Sequence, residues 1–196
     1  MFTGIIEMMG KVVAITNAGT NKSFWIESLL TPELKVDQSL SHNGVCLTVE
    51  ELKDNLYKVT AVKETLEKTN LGEWRIGSLI NLERGLLLSS RLDGHFVQGH
   101  VDGTGICKKV ILLEGSWEIE FEFDKMFAPL IIEKGSICVN GISLTAFDVK
   151  KKMFKVAIVP YTWHHTNLQF LQEENSVNLE FDLIGKYINR KLSLKE

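Results

Sequence analysis

The stretch Asn43-Gly44-Val45-Cys46-Leu47-Thr48 occurs a second time, slightly altered, as Asn140-Gly141-Ile142-Ser143-Leu144-Thr145. The interval is 97 positions, and the same step carries Thr69-Asn70-Leu71 onto Thr166-Asn167-Leu168 and Asn81-Leu82-Glu83 onto Asn178-Leu179-Glu180. Between Lys58 and Gly72, seven of fifteen positions are identical in the two copies, where unrelated sequence of average usage gives about one. Near the N-terminus the step is 95, pairing Gly4 with Gly99, so a small insertion lies between. This period is too long for a solenoid unit, which runs roughly 20 to 50 residues. The chain therefore reads as two tandem domains, residues 1–96 and 97–183, divided near the polar stretch Arg91-Leu92-Asp93-Gly94-His95.

Within each copy the pattern is that of strands. Lys11 to Ile15, Ser23 to Glu27, Val45 to Val49, Leu56 to Val62 and Ser78 to Glu83 are rich in β-branched and aromatic residues and are separated by polar turns. That spacing predicts a barrel or sandwich. Asn-Gly is a tight-turn signal because both residues tolerate positive φ. Thr31-Pro32-Glu33-Leu34 predicts a short helix with Thr31 as N-cap and Pro32 in its first position, and Ala128-Pro129-Leu130 opens its counterpart. From Leu183 to Leu192 the apolar residues Leu183, Ile184, Tyr187, Ile188 and Leu192 recur at helical spacing. This amphipathic helix, assigned with the tail to residues 184–196, has no equivalent in the first copy. It either caps its own chain or assembles an oligomer.

Composition narrows the function. Apolar residues are 44% and charged residues 24% of 196, with 22 Lys and Arg against 25 Asp and Glu. A net charge of −3 leaves no basic excess for a nucleic-acid partner. No apolar run approaches a membrane span, and the N-terminus has no signal-peptide pattern, so a soluble cytoplasmic protein is expected. Cys46, Cys107 and Cys138 are too scattered for a disulfide framework or a paired-cysteine metal site. Gly103-Thr104-Gly105 starts like a dinucleotide fingerprint, but Lys108 stands where the third glycine is needed. His164 and His165 are neighbours that would point to opposite faces if extended. The expectation is no metal and no cofactor.

What remains is a repeated polar pair. Residues two apart on a strand share a face, so Cys46 points with Thr48 and Ser143 with Thr145. One such pair reads as turn plus packing; two require partners. Lys63-Glu64-Thr65, matched by Pro160-Tyr161-Thr162, ends a strand beside the turn, where a barrel mouth gathers such groups. His100 follows Gly99, whereas the first copy has Ile5 there, which points to copies with divided labour.

These residues resemble the riboflavin synthase family. The match includes Met1-Phe2-Thr3-Gly4-Ile5-Ile6-Glu7, the two Asn-Gly elements, Lys63-Glu64-Thr65-Leu66 with Thr69-Asn70-Leu71-Gly72, and Gly94-His95-Phe96-Val97-Gln98-Gly99-His100-Val101-Asp102. It runs from Met1 to about Asp182 with consistent spacing. The resemblance implies an all-β fold of two tandem six-stranded antiparallel Greek-key barrels, with a C-terminal helix that joins three chains into a homotrimer. It implies dismutation of two molecules of 6,7-dimethyl-8-ribityllumazine into riboflavin and 5-amino-6-(ribitylamino)uracil, without cofactor or metal. Lumazine synthase, the preceding enzyme, enters as a further partner.

It also implies a site made between the first repeat of one chain and the second repeat of a neighbour. The first pocket takes Gly4, Ile5, Ile6, Cys46, Leu47, Thr48, Thr60, Ala61, Val62, Lys63, Glu64 and Thr65. The second takes Gly99, His100, Val101, Lys134, Ser143, Leu144, Thr145, Val159, Pro160, Tyr161, Thr162, Trp163 and His164. Catalytic roles fall on Ser39, Cys46, His100 and Ser143, supported by Thr145 and Asp182. His100 with Ser143 and Thr145 is expected to move the 7-methyl proton of the donor, and Cys46 with Ser39 to act on the acceptor. Two departures from the family pattern are Tyr161 where the first repeat has Glu64, and Asn140 where some relatives have Asp. The alternatives are a lumazine or flavin antenna protein that binds without chemistry, and a structural β-protein.

Overall fold

The computed structural model describes residues 1–194. The first repeat contains β1 (Met8–Ala18), β2 (Asn21–Glu27), β3 (Ser39–His42), β4 (Val45–Thr48), β5 (Glu51–Lys53), β6 (Leu56–Ala61), helix α1 (Lys63–Lys68) and β7 (Leu79–Arg84). The second contains β8 (Gly103–Leu113), β9 (Ser116–Glu122), β10 (Ser136–Val139), β11 (Ile142–Phe147), β12 (Met153–Ile158), helix α2 (Pro160–His165) and β13 (Ser176–Phe181), followed by helix α3 (Leu183–Ser193). In the second repeat six antiparallel strands close into a barrel in the order β10-β11-β12-β9-β8-β13. The first repeat has the same order, β3 to β7 to β1 to β2 to β6, except that the strand matching β11 is broken into β4 and β5. Across the break the Glu50 N–H still donates to the Lys58 carbonyl at 2.9 Å. Six-stranded all-β architecture is thus common to both halves.

The long first strand of each repeat carries a bulge, between Val12 and Ala14 and between Cys107 and Lys109. An extra residue there bends the strand around the barrel. Both interiors are solid. Val12, Phe24, Ile26, Leu40, Tyr57, Val59, Ile80 and Leu82 fill one, and Cys107, Ile119, Phe121, Ile137, Phe154, Val156, Leu179 and Phe181 the other. A barrel this narrow has room for side chains alone.

Several local expectations are corrected. Thr31 is inside its 3-10 turn rather than capping it: Leu30 holds the N-cap position, and the Thr31 hydroxyl donates to the Asn55 carbonyl. The counterpart turn spans Lys125–Leu130, with Pro129 inside and Asp124 as cap, because the Asp124 side chain accepts from the Met126 N–H. Lys63-Glu64-Thr65 and Pro160-Tyr161-Thr162 do not end strands but open α1 and α2. His164 and His165 accordingly lie in the last turn of a helix. The tail helix forms over Leu183–Ser193, starting at Leu183 where the apolar spacing begins, and residues 195 and 196 of that tail lie outside the described residues.

The two barrels meet through their Asn-Gly turns. Asn43 and Gly44 have φ of 47° and 81°, and Asn140 and Gly141 have 45° and 81°, the double positive φ of a type I′ turn. A side chain on Gly44 would reach within 2.9 Å of the Gly141 nitrogen, and one on Gly141 within 2.7 Å of the Gly44 nitrogen. Around this contact the repeated asparagines exchange bonds. The Asn81 amide donates to the Asn140 carbonyl at 2.9 Å, and the Asn178 amide to the Asn43 carbonyl at 2.9 Å. Asn81 Oδ1 accepts from the Asn167 N–H, and Asn178 Oδ1 from the Asn70 N–H. The duplicated asparagines are therefore the polar seam between the halves.

One pair of positions breaks the symmetry of the cores. His42 and Tyr57, where the second repeat has Val139 and Phe154, are fully buried with His42 Nε2 3.0 Å from the Tyr57 hydroxyl. Burial lowers the His42 pKa from 6.5 to about 4. Below pH 6.5 the unfolded chain takes up a proton that the folded chain refuses until about pH 4, so stability falls as pH drops through that window. The loss amounts to about 3 kcal/mol. Burial raises the Glu83 and Glu180 pKa values, which acts in the opposite direction. The His42 contribution is therefore read as a difference. The double variant H42V/Y57F, which copies the second core, is expected to lose less stability than wild type between pH 7 and pH 4 in urea titrations. Parallel curves for the two proteins would contradict this.

Candidate functional site

The polar pairs face outward. Val45 and Leu47 point into the first core, which leaves Cys46 partly exposed and Thr48 exposed on the outer wall. Ser143 and Thr145 stand likewise on β11. The expected barrel mouth is thus replaced by two cavities on the outside, because the interiors are filled. The first, about 230 Å³, is lined by Cys46, Glu64, Thr65, Lys68, His100 and Val101 among others. The second, about 460 Å³, is lined by Asp93, Gly94, Lys134, Ser143, Leu144 and Thr145 among others. A larger polar cleft of about 670 Å³ runs along the asparagine seam, and none of the expected site residues lines it.

Two extended segments cross between the barrels. Phe2 and Val97 pair antiparallel at the crossing, each N–H donating to the other's carbonyl. Beyond it, the Ser143 N–H donates to the Gly4 carbonyl at 2.8 Å and the Cys46 N–H to the Gly99 carbonyl at 2.9 Å. Ile6 packs on the second core, and Val101 on the first. The expected grouping is therefore exchanged: Gly4 and Ile6 serve the second repeat, and Gly99, His100 and Val101 the first. His100 is in the cavity of Cys46, not beside Ser143.

Two buried carboxylates clamp these segments to their own barrels. Glu83 accepts from the N–H groups of Thr3 at 2.6 Å and Gly4 at 2.9 Å, and from the Thr3 hydroxyl at 2.7 Å. Glu180, its counterpart, accepts from the N–H groups of Gln98, Gly99 and His100 at 2.7, 3.0 and 3.0 Å. Each segment is held by one barrel and lays its carbonyl on a strand of the other: Gly99, His100 and Val101 line the first cavity directly, whereas Gly4 acts on the second through Ser143, which it bonds.

The remaining expected residues are dispersed. Ser39 and Thr48 are cross-strand partners on β3 and β4, outside the first cavity. Leu47 and Ala61 are core residues, and Thr60 is engaged with the Ser23 hydroxyl and the Glu50 carboxylate. Val62 is the exposed N-cap residue of α1, and Lys63 starts that helix. Ile5 lies in a separate groove with Arg84 and Leu87. Val159, Pro160 and Thr162 lie at or in α2 without lining the second cavity. Tyr161 stacks on His165 at 4.1 Å, and Trp163 on Trp117 at 4.5 Å with His164 edge-on. Asp182 caps α3, its Oδ1 accepting from the Ile184 N–H at 2.8 Å.

One residue was missed. His95 is buried, and its Nδ1 is 2.7 Å from Ser143 Oγ. Burial lowers its pKa, and the Asp182 charge works against that shift. The duplication could not single it out, since His95 lies in the stretch between the repeats and has no counterpart in the first copy. Among the described residues no group of His, Cys, Asp and Glu is arranged to hold a metal, and no helix is long and apolar enough to cross a membrane.

Comparison with known proteins agrees with the duplication. The family described as lumazine binding domain matches twice, over residues 3–85 and 98–182. The riboflavin synthase of Actinobacillus pleuropneumoniae is 38% identical over the whole chain and 91% of its own length. That of Mycobacterium bovis is 40% identical over 97% of each chain. Among solved structures, LumP complexed with riboflavin superposes with a TM-score of 0.87 at 20% identity, covering 92% of this chain and 99% of that one. LumP complexed with 6,7-dimethyl-8-(1'-D-ribityl) lumazine gives 0.84 at 19% identity, covering 92% and 98%. At that identity the likeness is one of fold.

Proposed function

The chain belongs to the riboflavin synthase family, and from that membership we propose that it converts two molecules of 6,7-dimethyl-8-ribityllumazine into riboflavin and 5-amino-6-(ribitylamino)uracil. The observation that carries this reading is full-length identity of 38–40% to riboflavin synthases, with the lumazine-binding domain present twice. The substrate supplies its own reactivity. Loss of a 7-methyl proton leaves an anion delocalised over the ring, so the protein has to position two rings and move protons.

The duplicated cavities divide that work. Cys46 and His100 act on the ring in the first, while Ser143 and Thr145, with Lys134, act on the ring in the second. Ser39, paired with Thr48 outside the first cavity, and Asp182, whose charge acts on His95, take supporting roles. The first cavity, about 230 Å³, is smaller than the roughly 300 Å³ at which ligand pockets begin. A wall from a second chain would complete it. The apolar stripe of α3 supplies a contact for that assembly, since Ile184, Tyr187, Ile188 and Leu192 are all exposed in the single chain. We assign it to a homotrimer, in which the first cavity of one chain faces the second cavity of the next. The protein would act in the cytoplasm beside lumazine synthase.

The test is incubation with 6,7-dimethyl-8-ribityllumazine while riboflavin absorbance is followed. One riboflavin should form for every two lumazines consumed. Tight binding without product would make the protein a carrier and overturn the reading.

A further inference from the structure

We propose that His95 is the positioning residue for Ser143, taking up the hydroxyl proton of Ser143 as that hydroxyl removes a proton from the ring bound in the second cavity. The proposal rests on the function above and deepens it. A serine hydroxyl is too weak a base to deprotonate a methyl group unaided, and becomes effective beside a general base within about 2.6–3.2 Å. The 2.7 Å contact between His95 Nδ1 and Ser143 Oγ meets that requirement. His100, the imidazole expected for this role, lines the other cavity with Cys46.

The pair is held from several sides. The His95 N–H donates to the Thr3 carbonyl at 3.1 Å, and Thr3 is itself fixed on Glu83. Gly94 fits so closely that a side chain there would come within 2.9 Å of Ser143 Cβ. The charged groups facing the pair are Asp182 at the start of α3, Asp93 and Lys134 in the cavity wall, and Glu83 behind Thr3. Burial keeps the imidazole neutral and ready to accept, while the Asp182 carboxylate favours the imidazolium once it forms.

The step balances. A C–H bond of the 7-methyl breaks and its proton passes to Ser143 Oγ, leaving the electron pair delocalised in the ring. The former O–H bond of Ser143 breaks and an N–H bond forms at His95 Nδ1. Once the carbanion carbon has bonded to the second ring, Ser143 Oγ gives the methyl-derived proton to the adduct and recovers its own from His95, which resets the pair, and no oxidant or reductant enters.

The test is the His95→Gln variant, which can hydrogen-bond Ser143 but cannot take its proton. At pH 7.5 its kcat should fall about 100-fold with KM nearly unchanged, and the acid limb of the kcat profile should disappear. Deuterium incorporation at the 7-methyl in D2O should slow by the same factor, while fluorescence titration shows the lumazine still bound. Ser143→Ala should match it, and H95Q/S143A should be no slower than either single variant, as for groups acting as a unit. Unchanged turnover and pH profile in H95Q, or a loss wholly in KM, would overturn the proposal. Should H95Q not fold, S143A decides alone: persistence of the acid limb overturns it. A wild-type chain that exchanges the methyl deuterium through His95 yet forms no riboflavin would overturn the function and leave this inference standing.

Discussion

Gly4→Ala is expected to empty the cavity of the second repeat and leave that of the first intact, and Gly99→Ala to do the reverse. Both glycines are in the left-handed region, with φ of 78° and 81°. A side chain on Gly4 would sit 2.6 Å from Ser143 Cβ and 2.7 Å from the Ser143 nitrogen; one on Gly99 would sit 2.6 Å from Cys46 Cβ. The backbone cannot retreat, because Gly4 is held by Glu83 on one side and Ser143 on the other. Left-handed φ adds about 1 kcal/mol for a residue with a side chain. The larger effect is displacement of Ser143 or Cys46, since a shift of about 1 Å at a reacting group costs on the order of 100-fold in rate. Turnover should fall by that factor in both variants, because the reaction uses both rings. Ligand titration separates them: each should keep one site per chain, the first in G4A and the second in G99A. Loss of the first site in G4A would restore the grouping by repeat and contradict the crossing.

Asn81→Ala should be as damaging to stability as truncating a large core side chain. The Asn81 side chain accepts from the Asn167 N–H at 2.8 Å and donates to the Asn140 carbonyl and Asn167 Oδ1, each at 2.9 Å. Alanine leaves that N–H and that carbonyl without partners at the seam, and an unmet buried group costs about 1–3 kcal/mol. A total of about 2–5 kcal/mol is expected in urea unfolding, a large part of the usual stability of a domain. Asn178→Ala removes the matching bond to the Asn43 carbonyl and should behave similarly. A loss below about 0.5 kcal/mol, ordinary for a surface substitution, would show that the seam does not hold the barrels together.

The duplication, the all-β architecture and the tail helix were legible because each leaves a periodic or repeated trace in the chain. The Asn-Gly turns were read correctly as turns, yet their second role, as the contact between barrels, depends on Gly44 meeting Gly141 across the seam. Strand β3 escaped notice because Ser39-Leu40-Ser41-His42 looks polar; His42 is buried there by bonds to Leu40 and Tyr57. The placement of Cys46, Thr48, Ser143 and Thr145 on a common kind of face follows from strand period two, but no period says whether that face is mouth or outer wall. The crossing was invisible for a different reason. Sequence spacing pairs Gly4 with Gly99 as equivalents and says nothing of which barrel each equivalent touches. His95 fell outside the repeat altogether.

The most direct test is a count of ligands per chain. A ribityllumazine lacking the 7-methyl group cannot lose the proton on which transfer depends, so it can be titrated against the assembled protein without turnover. Two bound molecules per chain, falling to one in G4A and one in G99A, is the result predicted by two cavities whose Ser143 and Cys46 each rest on a segment held by the other barrel. A single site in the unaltered protein, or two sites that survive both substitutions, would contradict it.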